Sequence, residues 1–205
     1  MAKTDLTEEI KFYKTILHNC KVVFDVGCRD DNVFYDLDHS LTVHMFDPNY
    51  VNITEETIGK DNLHFNNYAL GNYEGEANFH FNYGSIIHRV EESKFEGIHQ
   101  SRAVKITTLK SYCEKNHVKQ IDLLKIDTEG YDFEVIKGCD KKILNAIKYI
   151  QFEDWEEGYA GGECVKDVFD FFKGWNIYKL NTKPINYIVT KEDLNFDEKD
   201  IMQRR

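Results

Sequence analysis

The chain has 205 residues, 41% of them hydrophobic and 30% charged, with a formal net charge of −10 at pH 7; that is enough for one domain with a sizeable core. The acidic balance and the lack of a long basic stripe argue against a nucleic-acid partner, which draws on clustered cations. No apolar run nears the roughly 18 residues that span a bilayer, and the N-terminus carries no signal-peptide pattern.

Asp5 followed by Glu8 resembles a capping box, and Leu6, Ile10, Tyr13 and Leu17 recur at helical spacing, which predicts an N-terminal helix. A short apolar run at 22–26 breaks at Gly27, and a second at 41–46 breaks at Asp47-Pro48; residues 63–65 are a third strand. Residues 76–81 alternate polar and apolar, as in a half-exposed strand. A helix over 109–117, a buried strand over 121–126, a helix over 131–144, a strand over 147–152 and a helix over 163–172 follow. Strands separated by helices imply right-handed crossovers and a mostly parallel sheet with helices on both faces. The strands predicted at 175–180 and 185–189 are separated by a turn so short that they must form an antiparallel hairpin. With two prolines, no repeat and no linker, the expectation is a single domain over 1–205, loose after Leu194, with a longer parent protein left open. Five widely spaced cysteines with no CxxC pair fit reduced thiols in a cytoplasmic setting better than disulfides or structural zinc.

The chemistry gathers at strand ends. The segment Ile121-Asp-Leu-Leu-Lys-Ile-Asp-Thr-Glu-Gly130 closes a buried strand with Lys125, Asp127 and Glu129. Charges there are costly unless paired, and in open α/β sheets that end is where ligands bind. The plainer reading makes Asp127 or Thr128 a helix cap. Asp25-Val-Gly27 follows the first strand, where Gly27 allows a tight turn, but no GxGxxG is present to cradle a pyrophosphate. Asp47 follows the second strand, where an acid accepts hydrogen bonds from ribose hydroxyls. Each of the two motifs also occurs as a simple turn; together in one β-α-β unit they point to an adenosine ligand without pyrophosphate, S-adenosylmethionine.

The ordered set Val23-Phe-Asp-Val-Gly27, Phe46-Asp-Pro48, Asn67-Tyr-Ala-Leu-Gly71, Val104-Lys-Ile-Thr-Thr-Leu109, the 121–130 segment and Ile150-Gln-Phe-Glu153 resembles the FkbM-type methyltransferases over roughly residues 21–154. The resemblance implies a Rossmann-like class I methyltransferase fold, S-adenosylmethionine as donor, and O-methylation of a sugar or other small hydroxyl compound. It implies that Asp25, Gly27, Cys28 and Arg29 line the methionine end, that Asp47 with Pro48 holds the ribose, that Asn67, Ala69 and Leu70 run beside the adenine, and that Asp127 lies nearest the sulfonium. One departure stands out: the family's Gly-x-Asn-x-Gly reads Gly27-Cys-Arg-Asp-Asp31 here, with Asp31 in place of the second glycine and Arg29 able to offset it at the methionyl carboxylate.

Methyl transfer requires in-line alignment, exclusion of water and removal of a proton from a weakly acidic hydroxyl. The candidates for the base are Asp127, Glu129, Glu153 and His88, with Lys125 holding or orienting a carboxylate. A divalent metal on Asp127 with Glu153 or Asp154 is an alternative that this reading does not favour. For the acceptor, His88, Arg89, His99 and Arg102 and the aromatic segment of Trp155 and Tyr159 are the candidates; the plainer reading makes the histidines surface residues and Trp155 a packing residue. Two competing functions are a nicotinamide-dependent oxidoreductase, opposed by the missing glycine fingerprint and the terminal hairpin, and a non-catalytic methyltransferase-like binding module, favoured by the altered 27–31 loop.

Overall fold

The computed structural model describes residues 7–29, 33–49, 60–81, 84–86, 101–156, 158–194 and 202–204. Helix α1 (Thr7–Ile16) leads through a short 3₁₀ turn to β1 (Val22–Val26), α2 (Val33–Leu37), β2 (Thr42–Phe46) and β3 (Leu63–Asn66). Then come β4 (Ala69–Gly71), β5 (Gly75–His80), β6 (Ser101–Thr108), α3 (Leu109–Lys115), β7 (Ile121–Ile126), α4 (Asp132–Lys137), α5 (Lys141–Asn145) and β8 (Ile147–Glu153). Helix α6 (Val165–Phe171), β9 (Asn176–Leu180), β10 (Asn186–Thr190) and β11 (Met202–Arg204) complete the chain. No described helix is long and apolar enough to cross a membrane.

Eight strands form one sheet in the order β11-β9-β10-β8-β7-β1-β2-β3. Pairing is parallel from β3 through β8. β10 then runs antiparallel to both β8 and β9, so the predicted hairpin is present and its returning strand is the inner one. Alternation along the strands gives the sheet two buried faces. Val23, Leu123, Tyr149 and Ile188 point to the side covered by Phe12, Tyr13 and Ile16 of α1 and by Phe34 of α2. Phe24, Leu124, Ile150 and Val189 point to the side covered by α3, α4, α5 and α6.

The structure adds to or departs from the sequence expectations in three places. The half-exposed strand of 76–81 exists as β5 but belongs to a separate three-stranded sheet, β4-β6-β5. The helix expected over 131–144 is two helices. Gly138 lies against Gly71, so that a Cβ there would run into the Gly71 carbonyl, its carbon 3.1 Å away, and Asp140 restarts the chain as an N-cap, accepting from the Ile143 amide at 2.8 Å. Where a loose C-terminus was expected, Met202–Arg204 pairs with the edge of β9. Asp5 of the expected capping box and Leu6 of the helical apolar set lie outside the described residues.

Candidate active site

The tips of β1 and β7 touch through backbone. Gly27, with φ +81°, donates its amide to Phe46 O at 2.8 Å, and the Asp127 amide donates to Val26 O at 2.9 Å. A Cβ on Gly27 would collide with the Asp127 carbonyl, whose carbon would be 2.7 Å away. Gly27 is thus required by the packing of two strand ends as well as by its left-handed backbone.

Asp47 is buried at the tip of β2. Its Oδ2 accepts from the Arg29 amide at 2.8 Å and its Oδ1 from the Asn49 amide at 2.7 Å, while its own amide donates to Asn66 O at 3.2 Å. Its carboxylate therefore ties the loop after β1, where Arg29 sits at φ +50°, to the tip of β2.

Below these tips a polar row crosses three adjacent strands on the α1 face. Asp25, Lys125 and Gln151 are direct register partners across β1, β7 and β8. Asp25 is 2% exposed and Gln151 fully buried. Lys125 Nζ lies 3.2 Å from Asp25 Oδ1 and 3.5 Å from Asp127 Oδ2. Burial alone would lower the Lys125 pKa, but Asp25 and Asp127 overcome it and hold the ammonium charged. Gln151 Nε2 donates to Asn186 Oδ1 at 3.2 Å and reaches Glu9 Oε1 of α1 at 3.3 Å. Burial, only partly offset by Lys125, raises the Glu9 carboxyl to about 7.

At the tip of β8, burial followed by repulsion from Asp127, Asp132, Glu129 and Glu9 raises Glu153 to about 9. Repulsion of this kind requires proximity, so the acids just after β7, at the start of α4 and on α1 lie near Glu153. Glu129 stands at φ +54°, followed by Gly130 at φ +92°, so the backbone turns sharply at the end of the 121–130 segment. Asp132 is fully buried and works as a clamp. It accepts from Thr128 N at 3.2 Å, Thr128 Oγ1 at 2.7 Å and the Glu153 amide at 3.2 Å, and so ties the two strand ends together. Burial, reduced by these hydrogen bonds, leaves its carboxyl raised to about 6.

The structure thus gathers Asp25, Gly27, Lys125, Asp127, Glu129 and Glu153, with Asp47 at the neighbouring tip. Cys28 is buried, and its side chain packs in the α1-side core. The Pro48 carbonyl accepts from Arg102 Nη2 at 2.7 Å. Asn67 is exposed, whereas Ala69 and Leu70 are buried in β4. Tyr159 turns inward and donates to Glu153 O at 2.8 Å, so it serves the rim from behind. Asp31, His88, Arg89 and His99 lie outside the described residues. Sequence reasoning missed Glu9, Asp132, Gln151 and Asn186. Among the described residues no group of three or more His, Cys, Asp or Glu is arranged to hold a metal ion.

Cavities among the described residues flank this framework. One, of about 480 Å³, is lined by Lys119, Asp122, Ile147, Lys148, Thr190 and Glu192 among others, at the amino-terminal end of the parallel strands. Another, of about 440 Å³, lies between Asp154–Glu156 and the turn from β9 to β10, beside the carboxyl rim.

No curated protein and no solved structure matches the chain significantly. Residues 25–177 match the family described as "Methyltransferase FkbM domain", a span that runs from Asp25 at the first strand tip, through the rim acids, to β9. The chain belongs to the FkbM methyltransferase family.

Proposed function

We propose that the protein is an S-adenosylmethionine-dependent O-methyltransferase acting on a hydroxyl of a sugar or related small molecule. The observation that carries this reading is that Asp25 and Asp127 converge on the Lys125 ammonium at the carboxyl ends of adjacent strands, with Glu129 and Glu153 adding carboxylates near Asp127. Such an excess of acid suits a donor that brings a sulfonium and an ammonium against one carboxylate. Asp47, at the next tip, has the position of an acid that meets ribose hydroxyls.

The donor supplies an already activated methyl, so the protein's work is alignment, exclusion of water and proton removal. Asp25 and Lys125 fix the floor of the site, and Asp132 fixes the spacing of the β7 and β8 tips. Asp127 and Glu153 are the carboxylates placed to receive the acceptor's proton. Glu153 holds a proton at neutral pH in the protein alone, and a cation beside it favours the ionised, basic form. Arg29 borders the methionine end from the loop that Asp47 secures. Five unpaired thiols, three of them buried, suit a reducing, cytoplasm-like compartment.

Calorimetry with S-adenosylhomocysteine tests the reading. Micromolar binding is expected, with a rise in melting temperature that corresponds to roughly 2.7 kcal/mol at about 100 times the dissociation constant. NAD is expected to have no effect, and stabilisation by NAD alone would refute the assignment.

A further inference from the structure

We propose that the groove between the segment after β8 and the turn joining β9 to β10 is a second acceptor subsite, holding a polyhydroxylated unit next to the one that is methylated. This rests on the methyl-transfer reading above. The groove's volume, about 440 Å³, lies within the usual range for small-molecule sites. It starts one residue beyond Glu153. The Asp154 amide donates to Ile185 O at 2.7 Å, and Asn186 is the register partner of Glu153, so rim and groove share one backbone ladder.

The lining has its own chemistry. Glu156, Lys179, Asn181 and Lys183 spend no side-chain hydrogen bond or ion pair on other described residues, and all four border the groove. The acids Asp154 and Glu156 balance the ammonium groups of Lys179 and Lys183, so no net field selects a simple ion. A purely apolar occupant would cover these groups without pairing them, which is costly. A sugar ring instead presents hydroxyls at its edge to carboxylate, amide and ammonium, and C–H faces to Pro184 and Ile185. The larger cavity cannot serve the same acceptor: it opens at the start of β8, and seven strand residues at about 3.3 Å each put it roughly 20 Å from the rim. Binding energy from such a remote unit can be used to align the reacting hydroxyl.

The test is a printed array of monosaccharides and oligosaccharides probed with protein saturated in S-adenosylhomocysteine. Wild type is compared with the double variant Lys179→Ala/Asn181→Ala, and calorimetry with S-adenosylhomocysteine is run on both. Oligosaccharides should be retained over their component monosaccharides, and the double variant should lose about tenfold or more of that retention while its cofactor-product affinity matches wild type. Undiminished retention in the variant, equal retention of monosaccharides, or no retained sugar on protein that binds S-adenosylhomocysteine would each overturn the subsite. Failure of wild type to bind S-adenosylhomocysteine would instead overturn the methyl-transfer reading, and the subsite with it.

Discussion

Replacing Gly27 by Ala tests whether the β1 and β7 tips must touch through bare backbone. Two costs add at this position. An L side chain at φ +81° costs about 1–2 kcal/mol, and a Cβ pressed to 2.7 Å from the Asp127 carbonyl carbon adds overpacking of about 1–3 kcal/mol. The obstacle cannot yield cheaply, because it is backbone directly at the end of the central strand β7. The sum, about 2–5 kcal/mol, corresponds to a melting-temperature loss of roughly 4–20 °C for a domain of this size. Gly174→Ala is the matched control. Its φ is +90° and nothing lies within 4 Å of its Cβ position, so only the conformational cost applies, about 1–2 kcal/mol or roughly 2–8 °C. Differential scanning fluorimetry of both variants with and without S-adenosylhomocysteine reads the difference. Gly27→Ala should melt clearly below Gly174→Ala and lose ligand-induced stabilisation, whereas Gly174→Ala should keep it. Equal melting of the two variants, or full ligand stabilisation in Gly27→Ala, would refute the packing argument.

Three further outcomes follow from the site. Asp47→Ala removes an ionised acceptor of about 1.5–3 kcal/mol and releases the loop at Arg29, so S-adenosylhomocysteine affinity measured by calorimetry should fall about ten- to a hundredfold; an unchanged affinity in folded protein removes Asp47 from the site. Glu153→Gln should keep S-adenosylhomocysteine binding but lower turnover by about 10²–10⁴-fold, and Asp127→Asn should impair both; turnover that persists in EDTA is expected, and its loss there would assign proton removal to a metal. The Glu153 carboxyl, held at about 9 in the fold against 4.5 for the free group, makes the folded state the tighter proton binder between those values. Its contribution to stability is therefore full below about pH 4.5 and is lost as pH rises through 9. Glu153→Gln should gain in melting temperature relative to wild type from pH 5 to pH 9, and a constant difference across that range would contradict the burial of its charge.

The parallel core was legible because β1, β2, β7 and β8 are short apolar runs that end in Gly or acid, and fully buried strands leave that pattern in the sequence. The rim acids of β7 and β8 were legible for the same reason: charge at the end of an apolar run is conspicuous. Gln151 was not, since a neutral amide inside Ile147–Glu153 carries no signal of the Lys125 beside it in the next strand. Glu9 sits in the first turn of α1 next to Glu8, and only the tertiary fold lays it over the sheet. Asp132 was hidden as an ordinary helix-start acid, although its spacing from Thr128 is that of a local cap. The break at Gly138 carried a readable signal, glycine followed two residues later by a capping Asp140, which the apolar periodicity over 131–144 outweighed. The small sheet was out of reach because β6, at Ser101–Thr108, alternates in burial while its partners lie far away in the chain.

The contacts made by Gln151 bear on the order in which the molecule can be assembled. Its bridge to Glu9 spans 142 positions and its bond to Asn186 spans 35. A chain emerging from the ribosome can lay down β1, β2 and β3 early, but Glu9 has no amide partner until β8 exists. β8 in turn lacks its outer neighbour until β10 has turned back past β9. Closing such long loops is the slow part of folding a sheet protein. The polar row beneath the strand tips is therefore closed late in folding, after the strands on both sides of β8 are in place.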